Sequence, residues 1–240
     1  VGVQPASGAA RLPVNGKQPL PLEALKEKIR GELPDLACVI GWQQGHDPLH
    51  HTPLFIRSPE DLDRLVLGPL TSHNPATYLT AFRGRPVGVV VKGCDSRSVV
   101  ELLQEKLIER EQITIFGVPC SGIADLARVR IALEQAGLPF DRVDEMIAED
   151  GMLTFKATGK TCAVPLIEVA ADKCLHCLYP NAVLADHFVG DPGLPAGPAE
   201  SPSATLAALD AMSLLERMSF WRYHMERCIR CHACRNVCPL

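Results

Sequence analysis

Between Pro86 and Val118 the chain alternates in a way that few folds accept. Val87–Val91 is a near-continuous β-branched run, residues 96–109 are amphipathic and rich in helix formers, and residues 113–118 are apolar again. This is the pattern of a βαβ unit, and its two strands are expected to lie parallel through a right-handed crossover. Residues 124–135 read as a further helix ended by Gly137 and Pro139, and residues 143–147 and 152–155 as strands. Upstream, Leu22, Leu25 and Ile29 have the spacing of one helical face, and residues 36–40 read as a buried strand. Ser58, Pro59 and Asp61 form a helix start, and Pro75–Phe82 a second short helix. The expected fold class is α/β, a mostly parallel sheet with flanking helices over residues 22–190.

The flanking segments lack this order. Residues 1–21 carry Gly, Pro, Ser and Asn with little periodicity and are expected to form an N-terminal arm. Residues 190–203 read GDPGLPAGPAESPS, which neither sustains a helix nor pairs inside a sheet, so a linker is expected over 191–204. Residues 205–218 are helical in pattern and open a terminal segment, 205–240, that contains a dense cysteine run. The sequence begins at Val1 rather than Met, so the natural start is expected upstream.

Ten cysteines must be explained by disulfides, metal or chance. With 47% apolar residues, 22% charged residues and a net charge of -4, the chain is neither disordered nor suited to nucleic acid. No apolar run approaches the roughly 20 residues that span a bilayer, and no signal peptide is evident. A cytoplasmic location is therefore expected, where clustered cysteines more often bind metal than pair as disulfides.

Cys228, Cys231, Cys234 and Cys238 are spaced C-x2-C-x2-C-x3-C and followed at once by Pro239. This is the bacterial ferredoxin run, in which three cysteines serve one 4Fe-4S cubane and the fourth ligates another. Zinc sites generally use separated C-x2-C pairs, so the spacing favours iron-sulfur. On this reading residues 205–240 are a helix and the start of a C-terminal ferredoxin-like module. The polypeptide is then expected to continue past Leu240 into a second run.

Cys94 lies three residues beyond the strand Val87–Val91, and Cys120 two residues beyond the strand at 113–118. Adjacent parallel strands are about 4.8 Å apart, so the two cysteines should emerge together at the carboxyl edge of the sheet. Open α/β sheets bind their ligands there. Cys174 and Cys177 add a C-x2-C pair. Spacing alone leaves another reading open, with Cys94 and Cys120 as buried small side chains and the pair as a zinc half-site. Cys38 and Cys162 have no spaced partners and are read as core residues.

At VVVKGCDSR, IFGVPCSG and CLHCLYPNAVLADHFVGD the sequence resembles the beta-subunit family of deazaflavin (coenzyme F420) reducing hydrogenases and related formate dehydrogenases, over residues 86–191. The resemblance implies a 4Fe-4S cluster beside a flavin, with Cys94, Cys120, Cys174 and Cys177 as ligands. From GWQQGHDPLHHTPLFI through CIRCHACRNVCP the chain resembles a bacterial branch of 4Fe-4S dicluster ferredoxin-like proteins. These are similar to subunits that work with formate dehydrogenases, hydrogenases or heterodisulfide-reductase-like flavin complexes.

No G-x-G-x-x-G follows a strand, so the dinucleotide fingerprint is absent and an NAD-dependent dehydrogenase is not supported. Lys92, Gly93, Ser96 and Arg97 could touch the phosphate of a flavin such as FAD, or serve only as solvated and capping residues. The cluster His46, His50 and His51, with Asp47, invites a metal reading, but its loop context and irregular spacing favour solvated polar residues; His176 and His232, each between two cysteines, are read as neighbours of clusters. The leading expectation is an electron-transfer subunit holding two or more 4Fe-4S clusters within a multi-subunit oxidoreductase. Its substrate chemistry would belong to partner subunits. Two alternatives stand beside it: a flavin-containing subunit exchanging hydride with a soluble carrier, and a zinc-stabilised binding module.

Overall fold

A computed structural model describes residues 21–195 and 204–239. The arm expected at 1–21, save its last residue, and most of the linker expected at 191–204 lie outside the described residues.

The elements in chain order are α1 (Leu22–Glu32), β1 (Val39–Gln44), β2 (His51–Ile56), β3 (Val87–Val91), α2 (Gly93–Gln104), β4 (Ile113–Gly117), α3 (Leu126–Gln135), β5 (Val143–Glu149), β6 (Met152–Ala157), β7 (Lys160–Pro165), two single turns α4 (Leu166–Val169) and α5 (Asp172–Leu175), β8 (His187–Phe188), α6 (Ala204–Ala211), α7 (Leu214–Glu226) and α8 (Ala233–Val237). Five strands form one sheet in the order β2-β1-β3-β4-β8. The pairs β1/β3, β3/β4 and β4/β8 are parallel, and β2 runs antiparallel to β1 at the edge.

The sequence VGVVV takes the centre of this sheet because every residue of β3 is buried, as a strand covered on two faces requires. Side chains alternate between the faces. Val90 and Phe116 pack with Leu25 and Ile29 of α1, together with Trp42, Leu54 and Ile56. Val89, Val91 and Ile115 pack on the other side with Val99 and Leu102 of α2. The expected βαβ unit is thus β3-α2-β4, in full register from Val87↔Ile113 to Val91↔Gly117.

The strands expected at 143–147 and 152–155 are β5 and β6, and they belong to a second sheet with β7, antiparallel throughout. Its two tight turns place Asp150 and Gly151 at φ 48° and 76°, and Thr158 and Gly159 at 50° and 76°. Two successive left-handed residues give the turn whose twist suits a hairpin. This sheet closes over α3 through Leu153, Phe155, Val164, Val129 and Leu133.

Other elements shift from expectation. The first strand runs Val39–Gln44 rather than 36–40, and the segments at Pro59–Arg64 and Pro75–Phe82 are 3-10 helices. The helix expected at 205–218 is broken in two. Ser213 accepts from Glu216 N while the Glu216 carboxylate accepts from Ser213 N, a reciprocal cap that starts α7 afresh. Cys38 is fully buried in the core, and Cys162 on β7 packs partly buried against the second core. Among the described residues, no helix is long and apolar enough to cross a membrane.

Candidate metal centre

Because β3 and β4 are parallel and in register, their carboxyl ends reach the same level, and Val118 N donates to Val91 O at 2.9 Å. Cys94 follows β3 as the second residue of α2, and Cys120 follows β4 in a loop. The C-x2-C pair arrives from another direction. An isolated bridge between Ala124 and Ala170, with Ala171 N donating to Ile123 O at 2.8 Å, lays the chain before Cys174 alongside the chain after Cys120. The segment after Cys177 then straps across the α2 amino end, where Cys120 N donates to Pro180 O at 3.0 Å and Val183 N to Ser96 Oγ at 2.9 Å.

That strap depends on Gly93. A β-carbon at this position would lie 1.7 Å from the Tyr179 carbonyl oxygen, so any side chain excludes the strap. Beyond it, Asp186 accepts from Ile115 N at 2.8 Å, pairs with Arg110, and leads into β8.

Burial and neighbouring charge raise three of the four thiols. Crowding of the Cys94 recess by protein, with the adjoining Asp95 carboxylate and Cys174, pushes its thiol up to about 11, although part of its surface stays open. Burial pushes Cys120 up to about 12, with Cys94 and Cys174 adding to the rise. Burial also raises Cys177, again with Cys174 contributing. A cation that binds Cys94 or Cys120 must displace their protons.

Several features oppose those rises and favour sulfur that carries negative charge. Gly122 N donates to Cys120 Sγ at 3.4 Å and Ile123 N to Cys174 Sγ at 3.3 Å, while Tyr179 N–H favours the Cys177 thiolate. The positive charge of Lys92 lowers Cys94 and Cys120. Four thiols, amide donors directed at sulfur and a buried cation fit a thiolate-ligated iron-sulfur cluster by donor chemistry.

Of the four residues singled out for a flavin phosphate, three are engaged within the protein. Lys92 is buried, with Nζ 2.8 Å from Asp95 Oδ2, 2.9 Å from Thr71 O and 3.8 Å from the Trp42 ring centroid. Gly93 is covered by the strap, and Ser96 Oγ donates to Gly93 O at 2.8 Å while accepting from Val183 N. Arg97 alone is exposed, its guanidinium 4.8 Å from the Tyr179 ring centroid. Trp42, Thr71 and Asp95 were not singled out in the sequence, although an acid three residues after Lys92 is a helix-capping signal. A cavity of about 20 Å³ lies between Thr71, Lys92 and Cys120, room for about one water.

The terminal run is built locally. Cys228, Cys231, Cys234 and Cys238 are exposed. Arg230 and His232 take left-handed φ of 56° and 60°, and Arg230 N donates to Cys228 Sγ at 3.4 Å. Left-handed residues interspersed in a turn point successive N–H groups to one side, a geometry common at iron-sulfur sites. Cys238 is extended, as a residue before proline must be. His176 and His232 are exposed beside their cysteines.

His46, Asp47 and His50 are partly or fully exposed, and the structure draws them into one group whose donor atoms lie within 4.8 Å of one another. Periodicity carries no signal for such a group, because it forms in the connection between β1 and β2.

Two family models match the chain. One describes the carboxy-terminal part of the coenzyme F420 hydrogenase/dehydrogenase beta chain and covers residues 84–204, just over half of the sequence; the other is a 4Fe-4S binding domain and covers residues 221–240. Among solved structures, a chain of the F420-reducing NiFe hydrogenase complex from Methanosarcina barkeri matches with a TM-score of 0.51 at 18% identity, covering 68% of this chain and 61% of that one. At that identity the likeness is one of fold. Among curated proteins, a UDP-N-acetylmuramoyl-L-alanine--L-glutamate ligase of Micromonospora sp. is 34% identical over 134 residues, 53% of this chain and 27% of that protein. The chain therefore spans about a quarter of that relative's length and about three fifths of the structural neighbour's. The match over 84–204, on a parallel sheet whose carboxyl edge gathers cysteines, places this chain in the coenzyme F420 hydrogenase/dehydrogenase beta-subunit family, joined here to a 4Fe-4S binding domain.

Proposed function

We propose that the chain is an iron-sulfur electron-transfer subunit of a multi-subunit, cytoplasmic oxidoreductase of the formate dehydrogenase, hydrogenase or heterodisulfide-reductase-like kind. Cys94, Cys120, Cys174 and Cys177 hold one 4Fe-4S cluster, and Cys228, Cys231, Cys234 and Cys238 ligate ferredoxin-type clusters. A bound cluster supplies one-electron exchange, while the chain fixes its position and sets its potential through burial, amide donors and charge. The observation that carries this reading is geometric: Cys94 and Cys120 follow in-register parallel strands at one sheet edge, and the chain bearing Cys174 is laid beside the segment after Cys120 by the Ala124–Ala170 bridge and the Ile123 N to Cys174 Sγ hydrogen bond. Amide N–H groups directed at two of those sulfurs support it.

In this role Lys92 offsets the cluster's negative charge, and the strap over Gly93 delivers Cys177 while limiting solvent access. Bonds in substrate are made and broken by partner subunits. The flavin reading rests on family membership and on Arg97, since Lys92, Gly93 and Ser96 already have protein partners.

Iron, acid-labile sulfide and flavin content of the anaerobically purified full-length protein provide the test, with Cys94→Ser and Cys174→Ser beside it. Each substitution is expected to remove one reduced-cluster signal in electron paramagnetic resonance and to spare the ferredoxin-type signal. Zinc without sulfide would overturn the redox reading. Loss of every cluster signal in a folded variant would overturn the division into two sites, and stoichiometric flavin would shift the reading to hydride exchange.

A further inference from the structure

The connection between β1 and β2 is tied by its own hydrogen bonds and by one buried side chain. Gly45 N donates to His50 O at 2.6 Å across its neck. Asp47 Oδ1 accepts from Leu49 N at 2.8 Å and from His50 N at 2.9 Å. Leu49 is 2% exposed and packs in the second core with Leu70 and Ala124. The loop is thereby tied to the segment that follows Cys120. Since β1 is parallel to β3, it leaves the sheet at the same carboxyl edge as Cys94 and Cys120.

Two imidazoles converge on one carboxylate in this fixed loop. His50 Nδ1 is 2.8 Å from each Asp47 oxygen, and His46 Nε2 is 3.0 Å from Oδ2. The rings stack at 4.9 Å with an interplanar angle of 22°. Two protonated imidazoles stacked this closely would repel each other, whereas one divalent cation satisfies two neutral rings and the carboxylate together. Metal-ligand bonds near 2.0–2.1 Å in a tetrahedron separate donor atoms by roughly 3.3 Å, so the two nitrogen-to-carboxylate spacings need to open by only a few tenths of an ångström, and the two nitrogens lie within 4.8 Å of each other. One residue further on, His51 Nδ1 is buried and has no hydrogen-bond partner.

We propose that His46, Asp47 and His50 form a mononuclear site for a divalent transition-metal cation, zinc by the chemistry of its donors, with solvent completing the coordination. Two imidazoles and one carboxylate suit zinc or cobalt over magnesium or calcium, which take all-oxygen sets. Three protein ligands leave a fourth position open. The site contains no cysteine and stands independently of the electron-transfer reading. A cation here clamps the β1–β2 connection beside the thiol-bearing edge.

The test uses anaerobically purified full-length protein with its clusters intact, so that iron already occupies the cluster thiols. Zinc is titrated against a chromophoric chelator, and cobalt(II) is added separately as a spectroscopic probe. One tightly bound equivalent is expected, with visible cobalt bands and no sulfur-to-cobalt charge-transfer absorption. His46→Ala and His50→Ala should each weaken binding at least about a hundredfold with iron content unchanged. His46 is exposed and contacts only its two fellow ligands among the polar interactions described, so its substitution tests the site even where His50→Ala fails to fold. Unchanged affinity in His46→Ala, a sulfur charge-transfer band, or no stoichiometric binding would each overturn the proposal.

Discussion

The two cysteine groups of this chain are assembled by opposite means. Cys228, Cys231, Cys234 and Cys238 lie within eleven residues, exposed along a loop and the short helix α8, with left-handed turns at Arg230 and His232. Cys94, Cys120, Cys174 and Cys177 come from three separate segments that a parallel sheet, a crossover helix and a long strap bring to one edge. Where these sulfurs are crowded by protein, their thiols rise. A local run depends on its own backbone, whereas a tertiary site depends on the packing of the whole domain. Substitutions in the core should therefore disable the sheet-edge group and leave the terminal run intact.

The sharpest separation is expected from Lys92→Met. Removing one partner of a buried ion pair costs about 3–5 kcal/mol, because the Asp95 carboxylate stays buried without its counter-charge. Denaturant unfolding should show that loss, with weakening of the cluster signal assigned to Cys94 and Cys120 and an intact ferredoxin-type signal. Lys92→Met/Asp95→Asn should recover a large part of the stability, and failure to do so would shift the cost to the Trp42 contact. Gly93→Ala comes next. The colliding atom is a backbone carbonyl that cannot rotate aside, so the strap must move, at about 1–3 kcal/mol and with loss of the Cys177-dependent signal.

Ser213→Ala probes the other side of the comparison. It removes the reciprocal cap at the start of α7 and costs about 1 kcal/mol locally. Helix content by circular dichroism should fall slightly, without change at the sheet edge. The smallest effect concerns pH. Burial depresses the His51 imidazole, so the unfolded chain takes up its proton first as pH falls through the ordinary histidine value near 6.5. Stability should therefore decline below that pH and level off once the folded ring also protonates. His51→Gln should flatten that part of the profile in thermal melts.

Physical reasons separate what was legible in the sequence from what was not. The β3-α2-β4 unit was readable because β-branched residues and a 3.6-residue period are local signals. The correspondence of Cys94 with Cys120 followed from strand parallelism alone. By contrast, β8 is two residues long and exists only because Asp186 N donates to Ile115 O and Val189 N to Gly117 O. The β5-β7 meander was half visible. Its Asp150-Gly151 turn is a recognised hairpin dipeptide, but Thr158-Gly159 is a weaker one, and β7 was missed. The break at Ser213 was present as S-x-x-E and was overridden by continuous helix propensity. The engagement of Lys92 and Ser96 by protein partners could not be read, because those partners lie elsewhere in the chain.

The close approach at Gly93 also bears on maturation of the protein. The last thiol of the edge site is carried by a segment made long after β3, and it seats only against a finished βαβ unit. On the proposed reading, a nascent chain that has emerged only through residue 120 would offer iron an incomplete cage, and loading would wait for completion of the domain.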